Sequence, residues 1–365
     1  MRIGILTFHC AHNYGAVLQC YATQEFLRSM GYDVNVINYR PKYLLEPYKL
    51  FNRKRILSKN PLRMFKNIIK EIIIFGIRLK RWYGFEKFIN RNLILSEIVT
   101  KGSIPSNYDI YIVGSDQIWN PKITKGFDGI YFCNFSFEKG HKKYISYAAS
   151  MESNKLDEDA VNYCGFHLKK FDAISVRERE LLELLQPLVN KPIEHVLDPT
   201  LLVPPQIWNR FLSNKNKDRY VVVYQVRGNK NTIRIAQHIA NQIGAKIKIL
   251  AAWPQIRIKD TYQTATPDSF INTIKNAACV VTTSFHGSAF AIIFNRPFYT
   301  VNLNDGEDSR SSSLLKSLDL SDRMIGINDL PIFSLIDFKP INQKLDVLRR
   351  ESQHIILNSI SNANY

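Results

Sequence analysis

The chain has 365 residues, 45% hydrophobic and 22% charged, which suits a globular protein too long for a single core. Its five cysteines (Cys10, Cys20, Cys133, Cys164, Cys279) are odd in number and form no CxxC pair, which argues against a disulfide framework and for a reducing compartment. The net charge of +17 is uneven: fifteen Lys and Arg face three Asp and Glu between Arg40 and Arg91, so a basic local surface, not a uniformly basic protein, is expected.

Ile3 to Phe8 reads as a first buried strand, and no h-region or cleavage signal stands before it. The loop HCAHNYGA follows. His9, Cys10 and His12 are metal-ligand types, but no second ligand cluster is visible, so no metal is expected. Asn13 and Gly15 offer a flexible turn at a helix start. The helix is placed at about 16–30, where Leu18, Ala22, Phe26 and Met30 share one face. Gly31 sits at its C-terminal cap position. Asp33 to Tyr39 is the second strand. This β-loop-α-β opening is Rossmann-like, but the GxGxxG fingerprint is absent, which disfavours a dinucleotide.

The basic insertion, about 40–91, is also rich in Tyr, Phe, Ile and Leu. It suits an anionic membrane face, a lipid-linked pyrophosphate or, least of all, a nucleic acid. The plain alternative is a solvated helical pair covering the sheet edge. Its most apolar run, Ile68 to Leu79, is interrupted by Lys70, Glu71 and Arg78 and is too short to span a bilayer. A cytoplasmic protein is expected, peripheral on the inner membrane face if the insertion meets lipid.

Tyr108 to Val113 is a strand followed by GSDQIWNP. There Ser115 follows a glycine, Asp116 is a carboxylate at a strand end, and Trp119 either stacks on a sugar or packs in the core. Lys143 to Ala148 and Asp172 to Val176 are further strands, with a helix at about 157–169 between them. Arg177 follows the second. It can hold a carboxylate or phosphate bidentately, or pair with Glu178 or Glu180 at the surface. The proline-rich segment EHVLDPTLLVPPQIW reads as an interdomain linker. A second α/β unit begins at Tyr220, with a helix at about 231–243 and a strand at Lys246 to Leu250. Thr266 is a helix N-cap with Pro267 at N1.

The stretch VVTTSFHGSAFAIIFNRPF, from Val280 to Phe298, carries most of the chemistry. It reads as strand, tight polar turn and buried helix. Ligands bind at such strand ends, and a helix start favours an anion. His286 stands there as a candidate acid/base, with Ser284 in the turn and Gly287 allowing close backbone approach. The plain alternative is a capping turn with a satisfied histidine. Arg310 follows in a polar loop, and about 342–359 is an amphipathic closing helix.

In this order NYGAVLQCYA, VGSDQIWNP, KYISYAAS, ISVRERE, VLDPTLL and VTTSFHGSAFAIIFNRPF resemble the polysaccharide pyruvyl transferase family, from Thr7 to about Arg323. The resemblance implies an α/β fold of two Rossmann-like domains, similar to GT-B glycosyltransferases, with the site in the interdomain cleft. Domains are expected at 1–195 and 196–335, with a closing helix at 336–365. It also implies pyruvyl transfer from phosphoenolpyruvate to sugar hydroxyls, giving a ketal on a bacterial capsule or exopolysaccharide glycan. The acceptor is expected to be lipid-linked; no cofactor and no nucleic acid are expected. His286 carries over from the family's Arg-Leu-His-Gly motif, whereas Ser284 replaces its Arg. The family's strand-end Arg carries over to Arg177, and Arg310 is the candidate replacement cation. Asp116 would orient or deprotonate the acceptor hydroxyl, and Asn13, Gly15, Ser115, Trp119, Ser284 and Gly287 complete the expected substrate-binding set. The alternatives are a nucleotide-sugar glycosyltransferase of the same fold and a non-catalytic glycan- or anion-binding protein.

Overall fold

The computed structural model describes residues 1–51, 53–135, 137, 142–151, 155–213, 218–254, 261–304 and 308–361; the side chains of Arg53 and Lys54, part of the basic insertion, lie outside the description. Two parallel sheets organise the chain. The first contains β1 (Arg2–Leu6), β2 (Asp33–Tyr39), β3 (Leu95–Val99), β4 (Ile110–Val113), β5 (Lys143–Ala149), β6 (Ala173–Val176) and β7 (Ile193–His195), in the spatial order 3-2-1-4-5-6-7. The second contains β8 (Tyr220–Gln225), β9 (Lys246–Ala251), β10 (Thr261–Tyr262), β11 (Cys279–Thr282), β12 (Phe298–Asn302) and β13 (Met324–Gly326), in the order 10-9-8-11-12-13. Their central strands are short apolar runs, as strands covered on both faces require. In each sheet the order reverses once, between β1 and β4 and between β8 and β11. Open α/β sheets bind ligands at the carboxyl ends of strands flanking such a reversal.

Local signals set the helices. Asn13 caps α1 (Tyr14–Ser29), its Oδ1 accepting from Gly15 N–H at 2.9 Å, and Gly31 follows the helix at φ +86°. The insertion is largely one long helix, α2 (Pro61–Asn92), rather than a pair. It is preceded only by short helical turns at Lys42–Leu45, Glu46–Tyr48 and Arg53–Ile56. Then come α3 (Glu158–His167), α4 (Lys230–Gln242), α5 (Pro267–Lys275), α6 (Phe285–Ile293), α7 (Ser309–Ser317) and α8 (Phe338–Ser361). Thr266 caps α5 as expected, accepting from Ser269 N–H. Among the described residues no helix is long and apolar enough to cross a membrane.

The two halves share a continuous apolar core. Tyr14 of α1 stacks on Phe270 of α5 with ring centroids 4.6 Å apart, and its hydroxyl donates to Ala265 O at 3.0 Å. Buried Arg81 of α2 fastens the same seam, donating to Tyr14 Oη at 2.7 Å, Ala251 O at 3.1 Å and Ala252 O at 3.0 Å. Helix α8 returns to the N-terminal half, where Leu197 N–H donates to Ser352 Oγ and Lys143 Nζ to Ile360 O. The segment read as a linker is no loose tether: Val196 to Val203 are all buried, with a helical turn at Pro199–Leu202.

Candidate active site

The two strand-order reversals face one another across a cleft of about 490 Å³. Its walls come from the loops after β1, β4, β8 and β11, from the start of α7, and from Tyr43 to Tyr48 of the insertion. Asn13, Asp116, Ser284, His286 and Arg310 line it, so these five expected site residues converge from both halves of the chain.

His286 is the second residue of α6, which begins at the carboxyl end of β11. Ser284 takes the N-cap position, though its side chain makes no capping bond. Thr282 Oγ1 shapes the turn, donating to Tyr224 O at 2.6 Å and accepting from Ser284 N–H at 3.0 Å. Gly287 is needed here because a Cβ would overlap Thr282 Oγ1. Its role is close helix-to-strand packing rather than the expected approach to a ligand. The first-turn N–H groups of α6 have no intrahelical acceptors and point their dipole at the cleft.

Asp198 stands behind His286. This carboxylate is buried, with Oδ2 3.6 Å from His286 Nε2 and 2.7 Å from Arg177 Nη1, and Oδ1 accepts from Thr200 N–H and Oγ1. Burial pushes its pKa up, but the His286 imidazole, the Arg177 guanidinium and the Thr200 hydroxyl outweigh that and hold it well below the usual carboxylate range. Sequence reasoning missed Asp198 because it lay in the supposed linker. The available signal was Asp-Pro, the N-cap and N1 pattern of the turn it opens.

Several expectations need correcting. Arg177 does not line the cleft: it is buried, and its guanidinium donates to Asp198 and to Glu178 Oε1 at 3.2 Å, with Asp116 Oδ1 at 3.8 Å and the Phe285 ring 4.8 Å away. The anticipated pairing with Glu178 exists, but in the interior. Trp119 is fully buried, its indole N–H donating to Tyr131 O at 2.8 Å and its ring stacked on Phe132, so it is core and not a sugar platform. Ser115 is also buried, its Oγ donating to Ala148 O at 2.8 Å and its N–H to Gln19 Oε1. Gly15 meets His286: a Cβ there would overlap the imidazole, so this glycine cradles the ring rather than a substrate. Asn13 lines the cleft but spends its side-chain oxygen on the α1 cap.

Beside the cleft, buried His286 Nε2 has no partner within hydrogen-bond distance among the described residues, Asp198 Oδ2 standing 3.6 Å away. Buried polar groups are normally paired, so an acceptor from a ligand or water fits there. The cations lining the cleft are Lys122, Lys125, Arg227 and Arg310 against one carboxylate, Asp116. Arg227, which sequence reading passed over, pairs with Asp308, and Lys125 pairs with Glu46 at 3.0 Å. Asp116 sits at φ +76°, and its Oδ1 accepts from Gln117 N–H. All five cysteines are buried, and burial raises the Cys10, Cys164 and Cys279 thiols to about 12, so they are poor nucleophiles. His9 bonds Asn38 and His12 bonds Glu86, and no metal-holding cluster exists among the described residues.

Two parallel Rossmann-like sheets with facing strand-order reversals and a buried histidine between them define an α/β architecture of two sheets around one cleft. The UDP-GlcNAc 2-epimerase of Neisseria meningitidis, solved with UDP-GlcNAc, superposes with a TM-score of 0.50 at 8% identity, covering 99% of this chain and 100% of that one. The epimerase of Methanocaldococcus jannaschii gives 0.46 at 11% identity over 100% of both chains. These likenesses concern the fold alone. No curated protein sequence is significantly similar. The model of the polysaccharide pyruvyl transferase family matches residues 13–305, and the chain belongs to that family. Membership makes it a transferase that acts on polysaccharide.

Proposed function

We propose that the cleft transfers a pyruvyl group from phosphoenolpyruvate to two hydroxyls of one sugar, on a lipid-linked glycan of capsule or exopolysaccharide synthesis. The observation that carries this reading is His286 itself: buried, backed by Asp198, cradled on Gly15 and open to the cleft through the start of α6.

Phosphoenolpyruvate carries about three negative charges near neutral pH. Arg310, Arg227 and the α6 N-terminus are placed to balance them, and they stand in for the motif arginine that Ser284 replaces. His286 delivers a proton to the methylene carbon, whose π electrons form the new C–H bond and leave an oxocarbenium centre at the neighbouring carbon. A sugar hydroxyl adds to that centre and loses its proton, with Asp116 as the acceptor. The C–O bond to phosphate then breaks, phosphate leaves with the bonding pair and takes the proton held by Asp116, and the second hydroxyl closes the ketal as its proton returns to His286. Asp198 keeps His286 oriented.

The test is incubation with phosphoenolpyruvate and candidate lipid-linked glycans, following phosphate release and product mass. Thermal stabilisation by phosphoenolpyruvate but not by nucleotide sugars is the expected companion result. Stabilisation by nucleotide sugars alone would reject the donor assignment.

A further inference from the structure

Helix α2 buries one side and leaves the other bare. The buried side carries Ile74, Arg81, Phe85, Phe88 and Ile89; the last three join the core shared by the two halves, and Arg81 bonds across it. The outer side exposes a row of large apolar residues at helical spacing: Leu62, Phe65, Ile69, Ile72, Leu79 and Tyr83, with exposures from 42% to 73%. At 100° per residue Lys66, Lys80 and Lys87 fall within or beside that row, and all three are exposed. The two acidic residues of α2 are both engaged by cations: Glu71 by Arg78 and Glu86 by Arg40. The solvent face therefore combines a continuous apolar stripe with exposed positive charge and no exposed carboxylate.

We infer that this face of α2 seats the protein on an anionic phospholipid bilayer, as an interfacial helix lying in the headgroup plane. An apolar stripe of this length is unusual on a protein that meets only water. Charge selects the occupant. Two copies joined through this face would bring Lys66, Lys80 and Lys87 against the same cations with no carboxylate to meet them. An acidic lipid surface complements them and accepts the apolar stripe at the acyl boundary.

The placement also serves the cleft. A recess of about 250 Å³ is lined by Arg55, Arg78 and Trp82 on the insertion side and shares Pro47, Tyr48 and Trp253 with the cleft. Seating α2 on lipid would thus set this cationic, aromatic recess beside the cleft that holds His286. This consequence rests on the lipid-linked acceptor proposed above; the membrane contact itself does not.

The test is co-sedimentation with vesicles of phosphatidylcholine alone and of phosphatidylcholine mixed with phosphatidylglycerol, at 0.1 M and 1 M salt, where the Debye length falls from about 10 Å to about 3 Å. Wild type is compared with Phe65→Glu/Ile72→Glu and with Lys66→Gln/Lys80→Gln, all exposed positions. The expected result is binding to the anionic vesicles that fades with salt and drops about tenfold or more in each variant. Thermal stabilisation by phosphoenolpyruvate is read in parallel. It should be unchanged in the variants, so a failed donor assignment and a failed membrane assignment give different results. Absent binding, or equal and salt-insensitive binding to both vesicle types, overturns the inference. So does a stable dimer in sedimentation equilibrium that Ile72→Glu dissociates.

Discussion

The imidazole of His286 rests on the bare Cα of Gly15, a residue from the other half of the chain, so closely that any side chain at position 15 would occupy the ring's place. The contact joins the first turn of α1 to the first turn of α6 and fixes the histidine at the meeting point of both sheets.

Gly15→Ala should therefore impair catalysis more than folding. Alanine suits a helix interior, so α1 should persist, whereas the ring must turn away from Asp198. We expect turnover to fall by about tenfold to a hundredfold, since small misplacements of a catalytic group have effects of that order. The check is steady-state kinetics beside circular dichroism. Normal turnover in a folded variant would show that the His286 orientation is not limiting.

His286→Ala and Asp198→Asn should each lower turnover by about 10²–10⁴-fold, the range of a general acid/base. Residues acting as one unit are strongly non-additive, so the double variant should be little worse than His286→Ala. Multiplying effects in the double variant would assign Asp198 an independent role.

Arg177 and Arg310 should separate by phenotype. Arg177 is buried among Asp198, Glu178 and Asp116, and removing one partner of a buried ion pair costs about 3–5 kcal/mol. Arg177→Gln should chiefly lower the unfolding midpoint in urea. Arg310→Gln should leave that midpoint nearly unchanged and raise the KM for phosphoenolpyruvate. A stable Arg177→Gln protein with a raised donor KM would return Arg177 to direct donor binding.

Acid should weaken the fold through His9. Burial lowers its pKa to about 4, despite the hydrogen bonds with Asn38 and Thr7, against about 6.5 in the unfolded chain. The unfolded state then binds the extra proton between those values. This contribution to stability is full above about pH 6.5 and is lost as pH falls towards 4. Between pH 7 and pH 5 the loss is about 2 kcal/mol. Urea unfolding at both pH values should show a smaller drop in His9→Gln than in wild type. An equal drop in both would place the acid sensitivity elsewhere.

Much of the architecture was legible in the residues alone. Apolar β-branched runs mark the strands, Asn13 and Thr266-Pro267 mark helix starts, and Gly31 marks a helix end, because each acts on backbone within a few residues. The strand-turn-helix at Val280 to Phe298 announced His286 for the same reason, and the charge excess of 40–91 is a property of composition. The tertiary structure decided the rest. Trp119 and Arg177 follow strand ends, as binding residues do, and only the packing of neighbouring segments shows that one is core and the other an interior ion-pair centre. Asp198 lies far along the chain from His286, and Gly15 farther still. Their meeting depends on how two separately formed sheets dock, a relationship that neither periodicity nor capping chemistry encodes.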